Sequence, residues 1–404
     1  MRHQQIKLSG LMFLLLGSIA NAQTPAVKTI KKDSSNKTET FLSSQTVSGQ
    51  GHGDPMPQES ISFNITKYGK YNFVPGEKII FEDAVAGESL GEFPSKWGLI
   101  KGRVEIAEVD GQQVIAFMDG DRASIAPLMT EKNDYLPDVF SIEFDHLVKM
   151  EDNNNYGYYY LWLSFFDISK PSEPNDIGDM GREAITCGQY AKIGQANGEW
   201  PEDNMKYYNQ WHHIAISYNK GNVKIYTDQY QMANLPNING NPHSVVISAI
   251  AHPGAREIYI KNIRIAAGGS DLYKRVVTDG KIVTHGILFD VNKADIKAES
   301  MGTINQIVKL MKDQPDLKFE IGGHTDSDGD NNLNMKLSQA RADSVKSLLV
   351  AMGIDPSRLT TKGYGESRPI DKSNTPAAKA NNRRVELVNQ VYKDLLHRPA
   401  DQQQ

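Results

Sequence analysis

The sequence predicts a multidomain protein in which an all-β sandwich is followed by an α/β domain with a mixed sheet. Two sequence patterns along the 404 residues support this prediction. Between residues 71 and 270, short runs of alternating apolar and polar residues recur between turn signals, which is typical of a sandwich. Between residues 271 and 395, segments with strand and helix periodicity alternate as βαβαβ, which predicts helices packed on a mixed sheet.

Residues 1–22 have the pattern of a secretory signal peptide. A basic start at Arg2, His3 and Lys7 precedes a short apolar run, residues 11–16, and Ala20-Asn21-Ala22 fits the small-x-small cleavage rule. The apolar run is too short to span a bilayer. No later stretch approaches the roughly 18 apolar residues of a membrane span, so we expect no transmembrane segment in the mature chain.

Residues 23–70 are rich in Ser, Thr, Lys, Gln and Gly and contain few large apolar residues. Such a segment buries too little surface to offset the entropy of ordering, so we expect a flexible leader. At the other end, residues 396–404 form a polar tail. Cys187 is the only cysteine, which excludes an intrachain disulfide. The formal net charge of −5 argues against a nucleic-acid partner, because proteins that bind polyanions are usually basic.

The sandwich prediction rests on strand-like runs separated by turn residues. Gly, Asn, Asp and Pro separate the runs, as at Asp110-Gly111 and at Lys220-Gly221-Asn222. Six runs have the alternation or length of a strand: residues 139–144, 158–166, 213–218, 223–226, 245–250 and 258–265.

Two adjacent segments also carry a family resemblance. Residues 210–218, Gln-Trp-His-His-Ile-Ala-Ile-Ser-Tyr, form a W-H-x-apolar strand, and residues 221–228 form a second strand that ends Tyr-Thr-Asp. Together with the opening from Phe81 to Trp97, this pattern resembles the laminin-G/concanavalin-like jelly-roll group. The resemblance implies a jelly-roll sandwich, but it does not imply a sugar site.

In the C-terminal third, each strand and helix has its own signal. Residues 281–289 and Leu317 to Ile321 are predicted strands, and two further strands are predicted near residues 359–362 and 384–389. Apolar residues at helical spacing predict one helix around residues 301–311 and a second that is closed by Gly353.

Two opposite charges in this region form a candidate site. Asp326 lies in a loop after a predicted strand, and Arg341 lies on the following helix at the edge of its buried stripe. A charge there costs free energy unless it is paired. One interpretation is a structural ion pair with Asp326 or another acid. The other is a receptor for an ammonium and a carboxylate carried on one carbon, because a guanidinium presents a planar fork to two oxygens.

The surrounding motifs resemble the OmpA-like peptidoglycan-binding domain over residues 281–390, about a quarter of the chain. These motifs are Phe289-Asp290, Gly323-His324-Thr325-Asp326, Asn334, Leu337-Ser338, Arg341-Ala342, Gly353-Ile354, Arg358, Gly363-Tyr364-Gly365, Pro369 and Asn382-Arg383-Arg384-Val385-Glu386.

The resemblance implies that the domain binds the diaminopimelate of the peptidoglycan stem without a covalent bond. By position, Asp326 would contact the ammonium and Arg341 the carboxylate. Five further residues match positions that line or support the pocket: Asp290, Thr325, Asn334, Leu337 and Arg384.

Several of these residues also have a purely structural interpretation. Asn334 could cap the second helix, Thr325 could cap the loop, and Leu337 could be a core residue. Since Arg383 and Arg384 alternate, only one of them can face a ligand. His324 is interpreted as structural, because no Ser or Cys nucleophile pattern surrounds it.

We expect no metal, cofactor or catalytic residue. The run Asp326-Ser-Asp328-Gly-Asp330 resembles the start of a calcium loop, but Asn331 and Leu337 stand where an EF-hand needs Gly and Glu. An EF-hand is therefore rejected, and a loop that supplies oxygens to a cation in another geometry stays an open alternative. A glycoside hydrolase of the E-x-D-x-x-E type would need a second glutamate after Glu143-Phe-Asp145, and Val148 stands there instead.

The favoured function is therefore binding of peptidoglycan, which would anchor a lectin-like sandwich in the periplasm, at the wall or the outer membrane. In the alternative function, the sandwich is a carbohydrate- or protein-binding adhesion module, with glycans or envelope proteins as partners. The C-terminal domain then serves only as a tether to the wall. Trp97, Trp162, Trp200 and Trp211 could offer stacking platforms, although strand patterns favour core roles for Trp162 and Trp211.

Overall fold

The computed structural model describes residues 66–392, apart from residues 119–121, 132–133, 151–158, 167–183, 188–189, 194–195, 203, 237–241, 252–255 and 270–271. The predicted signal peptide, most of the predicted leader and the polar tail lie outside these residues. In the part of the chain that is described, no helix has both the length and the apolar character needed to cross a membrane.

Among the described residues of the first part of the chain, fifteen antiparallel strands form two sheets. The larger sheet has the order β13-β12-β11-β6-β15-β4-β3, with β1 paired to β15, and the smaller has the order β10-β9-β8-β7-β14-β5-β2. The strands are β1 Lys78–Asp83, β2 Trp97–Lys101, β3 Val104–Val109, β4 Gln112–Phe117, β5 Ala123–Pro127, β6 Val139–Met150, β7 Tyr159–Phe166, β8 Ala184–Cys187, β9 Tyr190–Ile193, β10 Ala196–Glu199, β11 Trp211–Asn219, β12 Asn222–Thr227, β13 Tyr230–Leu235, β14 Ser244–Ala251 and β15 Arg256–Ala267.

Two hairpin turns follow the predicted sequence signals. Strands β3 and β4 are joined by Asp110 and Gly111, with φ of 53° and 73°, and strands β11 and β12 by Lys220 and Gly221, with φ of 47° and 89°. Two-residue hairpins with positive φ at both positions match the right-handed twist of the strands. The two predicted turns are therefore confirmed.

Side chains from both sheets form one core. Ile142 and Ile216 extend from the larger sheet, and Leu163 and Ile247 from the smaller. The opposite face of β11 and β12 is also covered, because Ala215 and Tyr226 belong to a second core that includes the C-terminal helices. The larger sheet is thus buried on both faces where it meets the C-terminal domain.

The C-terminal domain is a mixed four-stranded sheet with helices, as the sequence predicts. Its sheet has the order β16-β19-β17-β18, in which only β17 and β18 are parallel. The elements are α1 Leu272–Asp279, β16 Lys281–Thr284, α2 Met301–Asp313, β17 Phe319–His324, α3 Asn331–Ala351, β18 Leu359–Gly365, α4 Pro376–Asn382 and β19 Val385–Asn389.

Three features of this domain differ from the sequence expectation. Helix α1 was not predicted. The first strand ends at Thr284 rather than continuing to Phe289, which forms only an isolated bridge with Ile296. Helix α4 was not predicted, because seven residues are too short to show a clear period. It begins with Thr375 as N-cap, whose hydroxyl accepts from the Ala378 amide, and with Pro376 in its first turn.

The end of the predicted leader is packed rather than free. Tyr68 and Tyr71 are only 8% and 2% exposed, and with Phe73 they belong to the second core. The Asn305 amide on α2 donates to the carbonyl oxygens of Tyr68 and Tyr71, each at 2.8 Å. Three aromatic side chains within six residues bury enough surface to order a short segment next to an existing core.

This packing requires glycine at position 302. A β-carbon there would lie 1.9 Å from the Phe73 carbonyl oxygen. We expect Gly302→Ala to lower the free energy of unfolding by roughly 1–3 kcal/mol, because overpacking must move the 68–73 segment off α2. Urea denaturation followed by circular dichroism measures the change. Gly98→Ala is the control, since its nearest contact is an ordinary 3.4 Å from Leu128, and equal stability of both variants would contradict the prediction.

Acid should destabilise the C-terminal domain through His324. Burial, aided by Arg384 and partly opposed by Glu386, lowers the His324 pKa from 6.5 to about 4. Because the pKa of His324 is lower in the folded protein than in the unfolded protein, the unfolded protein takes up the proton first as the pH falls. The free energy of unfolding is therefore unaffected by His324 above about pH 6.5 and decreases as the pH falls towards 4. We expect His324 to lower the free energy of unfolding by about 2 kcal/mol between pH 7 and pH 5.

The measurement is urea unfolding at both pH values for the parent chain and for His324→Phe. Phenylalanine keeps a ring stacked on Tyr364, where the two rings now lie 5.0 Å apart, but cannot titrate. A pH dependence that is the same in both proteins would rule out His324 as its source.

Candidate functional site

Asp326 lies in a short loop between β17 and α3. Asp330 ends this loop as the N-cap of α3, where its carboxylate accepts from the amides of Asn332 and Leu333 at 2.9 and 3.0 Å. The Asp326 Oδ1 atom accepts from the Asp328 amide at 3.1 Å, and its side chain is 13% exposed. The carboxylate is therefore held by a local turn and is partly buried.

Asn334 braces this loop from the first turn of α3. Its side-chain amide donates to the Asp328 carbonyl at 3.0 Å and to Glu366 Oε2 at 2.9 Å. Thr325 is buried, and its amide donates to the Gly365 carbonyl at 3.0 Å. Both residues therefore support the loop, and Asp330 is the residue that caps the helix.

Arg341 projects from α3 towards the segment that follows Phe289. Its Nε donates to the Lys293 carbonyl at 3.0 Å and its Nη2 to the Asp290 carbonyl at 3.2 Å. The guanidinium carbon lies 5.0 Å from the centre of the Phe289 ring. Within the described residues it forms no ion pair, so the interpretation as a structural pair with Asp326 does not hold there. Backbone carbonyls orient this guanidinium but leave its charge unneutralised.

The protonation state of Arg341 reflects these surroundings. Burial, aided by the positive charge of Arg383 and opposed by Asp326, lowers the Arg341 pKa to about 10. The group remains a cation at neutral pH. It is therefore a positively charged fork near a carboxylate to which it is not bonded.

The direct partner of Asp326 is Arg383. The Arg383 Nη1 atom donates to Asp326 Oδ2 at 2.6 Å, and its Nη2 atom donates to Glu82 of strand β1. Burial alone would lower the Arg383 pKa, but the carboxylates of Glu82 and Asp326 raise it above its ordinary value.

Arg384 points elsewhere. Its side chain is 2% exposed, and its guanidinium pairs with Glu386 at 2.6 Å and donates to the carbonyls of Asn382 and Arg368. The family resemblance assigned Arg384 to the pocket, but the structure places Arg383 at Asp326 and pairs Arg384 with Glu386.

The remaining predicted residues surround Arg341. The Asp290 carbonyl receives its hydrogen bond, while the Asp290 carboxylate is half exposed beside Lys293 at 3.4 Å. Leu337, one helical turn before Arg341, is half-buried. Asp290 and Leu337 thus lie near Arg341 on one side of the candidate site. Thr325 and Asn334 lie with Asp326 on the other side.

Sequence reasoning missed Arg383 and Glu82 as neighbours of the site. Arg383 is the C-cap of α4 and not a strand residue, so the strand alternation applied to it did not hold. Glu82 lies in the sandwich, and nothing in the sequence links it to a residue 301 positions away.

Comparisons with known proteins cover this part of the chain. Residues 288–383 match the OmpA family. The chain is 47% identical over 100 residues to outer membrane porin F of Pseudomonas fluorescens, and the match covers 25% of this chain and 31% of that protein. It is 41% identical over 104 residues to the probable lipoprotein YiaD of Escherichia coli, covering 26% of this chain and 48% of that protein.

A third relative is the peptidoglycan-associated lipoprotein of Buchnera aphidicola, 35% identical over 104 residues, which covers 26% of this chain and 60% of that protein. The chain thus spans between about a third and three fifths of the length of these relatives. The matched region contains Asp326, Arg341 and Arg383. The C-terminal part of this chain is thereby identified as an OmpA-family domain.

Proposed function

We propose that this protein binds peptidoglycan non-covalently through Asp326 and Arg341 and thereby anchors the sandwich at the cell wall. The ligand would be the diaminopimelate of the peptide stem, which carries an ammonium and a carboxylate on one carbon. Arg341 would take the carboxylate and Asp326 the ammonium. The proposed location is the periplasm, in association with peptidoglycan and, through it, with the outer membrane.

The observation that carries this proposal is the state of Arg341. Backbone carbonyls of Asp290 and Lys293 orient its guanidinium, yet no carboxylate within the described residues neutralises it. A half-buried cation of this kind is costly unless a ligand completes it, and a bidentate carboxylate is the anion that fits a guanidinium best. The relative named for its association with peptidoglycan supports the same ligand.

For the sandwich, we propose a binding role rather than catalysis. Glu143 and Asp145, the acids that begin a hydrolase-like pattern, both face His213, at 3.5 and 2.9 Å. Val148, at the position of the missing glutamate, is fully buried. These contacts support a binding role, because both acids are engaged with His213.

A second candidate function is carbohydrate binding in a cleft between the larger sheet and helices α1 and α2. The cleft has a volume of about 680 Å³. Amide and tyrosine side chains line much of it, and these groups suit sugar hydroxyls and ring faces. The lining includes Tyr218, Asn219, Asn222, Asn234, Tyr273 and Gln306.

Retention on purified sacculi tests the wall-binding proposal. We expect the double variant Asp326→Ala, Arg341→Ala to lose at least about tenfold in affinity, because each charge-assisted contact contributes roughly 1.5–3 kcal/mol. The matched control is Lys312→Ala, Asp316→Ala, which removes one exposed charge of each sign from the same domain. Equal retention of the parent chain and the Asp326, Arg341 variant would disprove the proposal.

Binding of the full chain to a glycan array tests the cleft. We expect Tyr273→Ala, which removes a side chain that is 48% exposed at the cleft, to reduce any glycan signal while leaving retention on sacculi unchanged. A parent chain without glycan signal would exclude this second function.

A further inference from the structure

The sandwich docks its first strand directly on the last helix of the OmpA-family domain. The side-chain amide of Asn381 on α4 bonds the backbone of Ile79 on β1 twice. It accepts from the Ile79 amide at 2.9 Å and donates to the Ile79 carbonyl at 2.8 Å. Ile79, Ala266 and Ala380 form a small buried cluster beside these bonds. The register of β1 against α4 is therefore specific and not a loose contact.

This register brings Glu82 next to Arg383. Glu82 lies three residues after Ile79 on β1, and Arg383 lies two residues after Asn381. The Glu82 Oε2 atom accepts from Arg383, and its Oε1 atom lies 3.4 Å from Arg264 Nε on β15. One sandwich carboxylate is thus shared between a guanidinium of its own domain and one of the OmpA-family domain.

A series of charged side chains with alternating sign extends from Glu82 into the sandwich. Arg264 Nη1 lies 3.7 Å from Glu143, and Glu143 lies 3.5 Å from His213. Burial opposes protonation of His213, but its hydrogen bonds to Asp145 and Glu143 raise its pKa to about 10, so it is a cation. Arg264 and His213 therefore already have acidic neighbours within the sandwich, and Glu82 is the sandwich acid that also faces Arg383.

Arg383 competes with a ligand for Asp326. Its Nη1 atom occupies Asp326 Oδ2, the carboxylate edge that a ligand ammonium would need. A guanidinium paired with two carboxylates neutralises each of them less than one that is paired with a single carboxylate. Without Glu82, the charge of Arg383 would act on Asp326 alone and would repel a ligand ammonium.

We propose that Glu82 is a positioning residue of the Asp326–Arg341 site. By holding the Arg383 guanidinium from the sandwich side, it keeps Asp326 able to accept an ammonium, so that the site selects a centre with both an ammonium and a carboxylate over a plain carboxylate. The sandwich thus determines the selectivity of wall binding and is not only the domain that is anchored at the wall. This inference rests on the proposed binding of peptidoglycan.

The test compares retention of the full chain on native sacculi and on sacculi whose free amines have been acetylated. We expect Glu82→Gln to lose roughly tenfold in affinity for native sacculi, about the effect of one charge-assisted contact, and to bind acetylated sacculi as the parent chain does. Glu82→Asp keeps the charge and should keep the preference for native sacculi. The matched control is Glu92→Gln, an exposed glutamate of the sandwich.

A double-mutant cycle tests whether Glu82 acts through Arg383. On an Arg383→Gln background, Glu82→Gln should change affinity for native sacculi by less than about twofold, because the group that it positions is already gone. If Glu82→Gln lowers the affinity as much on the Arg383→Gln background as in the parent chain, then Glu82 does not act through Arg383.

Other outcomes separate this inference from the wall-binding proposal. If the Asp326, Arg341 double variant loses retention but Glu82→Gln keeps the parent's preference for native sacculi, only the role of Glu82 is overturned. The same holds if Glu82→Gln weakens both kinds of sacculi equally, since that result indicates loosened packing. If the parent chain does not bind native sacculi, both proposals fall.

Discussion

The carboxylate of Glu82 lies between two guanidinium groups that belong to different domains. Arg264 extends from the sandwich, and Arg383 caps the last helix of the OmpA-family domain. Partly buried charges are costly without partners, so this arrangement is stable only when β1 and α4 are docked. The two hydrogen bonds between Asn381 and Ile79 hold them in that position. The geometry around Asp326 therefore depends on contacts made by the sandwich.

This dependence assigns different tasks to the charged groups of the site. Arg341 is oriented by backbone carbonyls and has no carboxylate partner within the described residues. Asp326 is oriented by its own turn and shares one oxygen with Arg383. Under the proposed function, a zwitterionic ligand needs both an unneutralised cation and an anion that is not fully neutralised. Arg341 would supply the first from within one domain, and the contact between Glu82 and Arg383 would maintain the second.

Local patterns made much of the fold predictable. Asp110-Gly111 and Lys220-Gly221 predicted hairpins because positive φ at both positions has a strong residue preference. The long helix α3 was predictable from its periodic apolar residues, and the mixed sheet from the alternation of strands and helices. Short elements were not predictable, since the seven residues of α4 contain too few turns to show a period.

By itself, the sequence determined the succession of domains and identified Asp326 and Arg341 as the charged pair of interest. Both results depend on local spacing, because a loop acid and a helix base fifteen residues apart lie in one strand–loop–helix unit. Only the tertiary structure decided that Arg383, not Arg384, meets Asp326 and that Arg383 also pairs with Glu82. The reason is physical: Glu82 and Arg383 are 301 residues apart, and their contact depends on how two domains dock, which no local periodicity encodes.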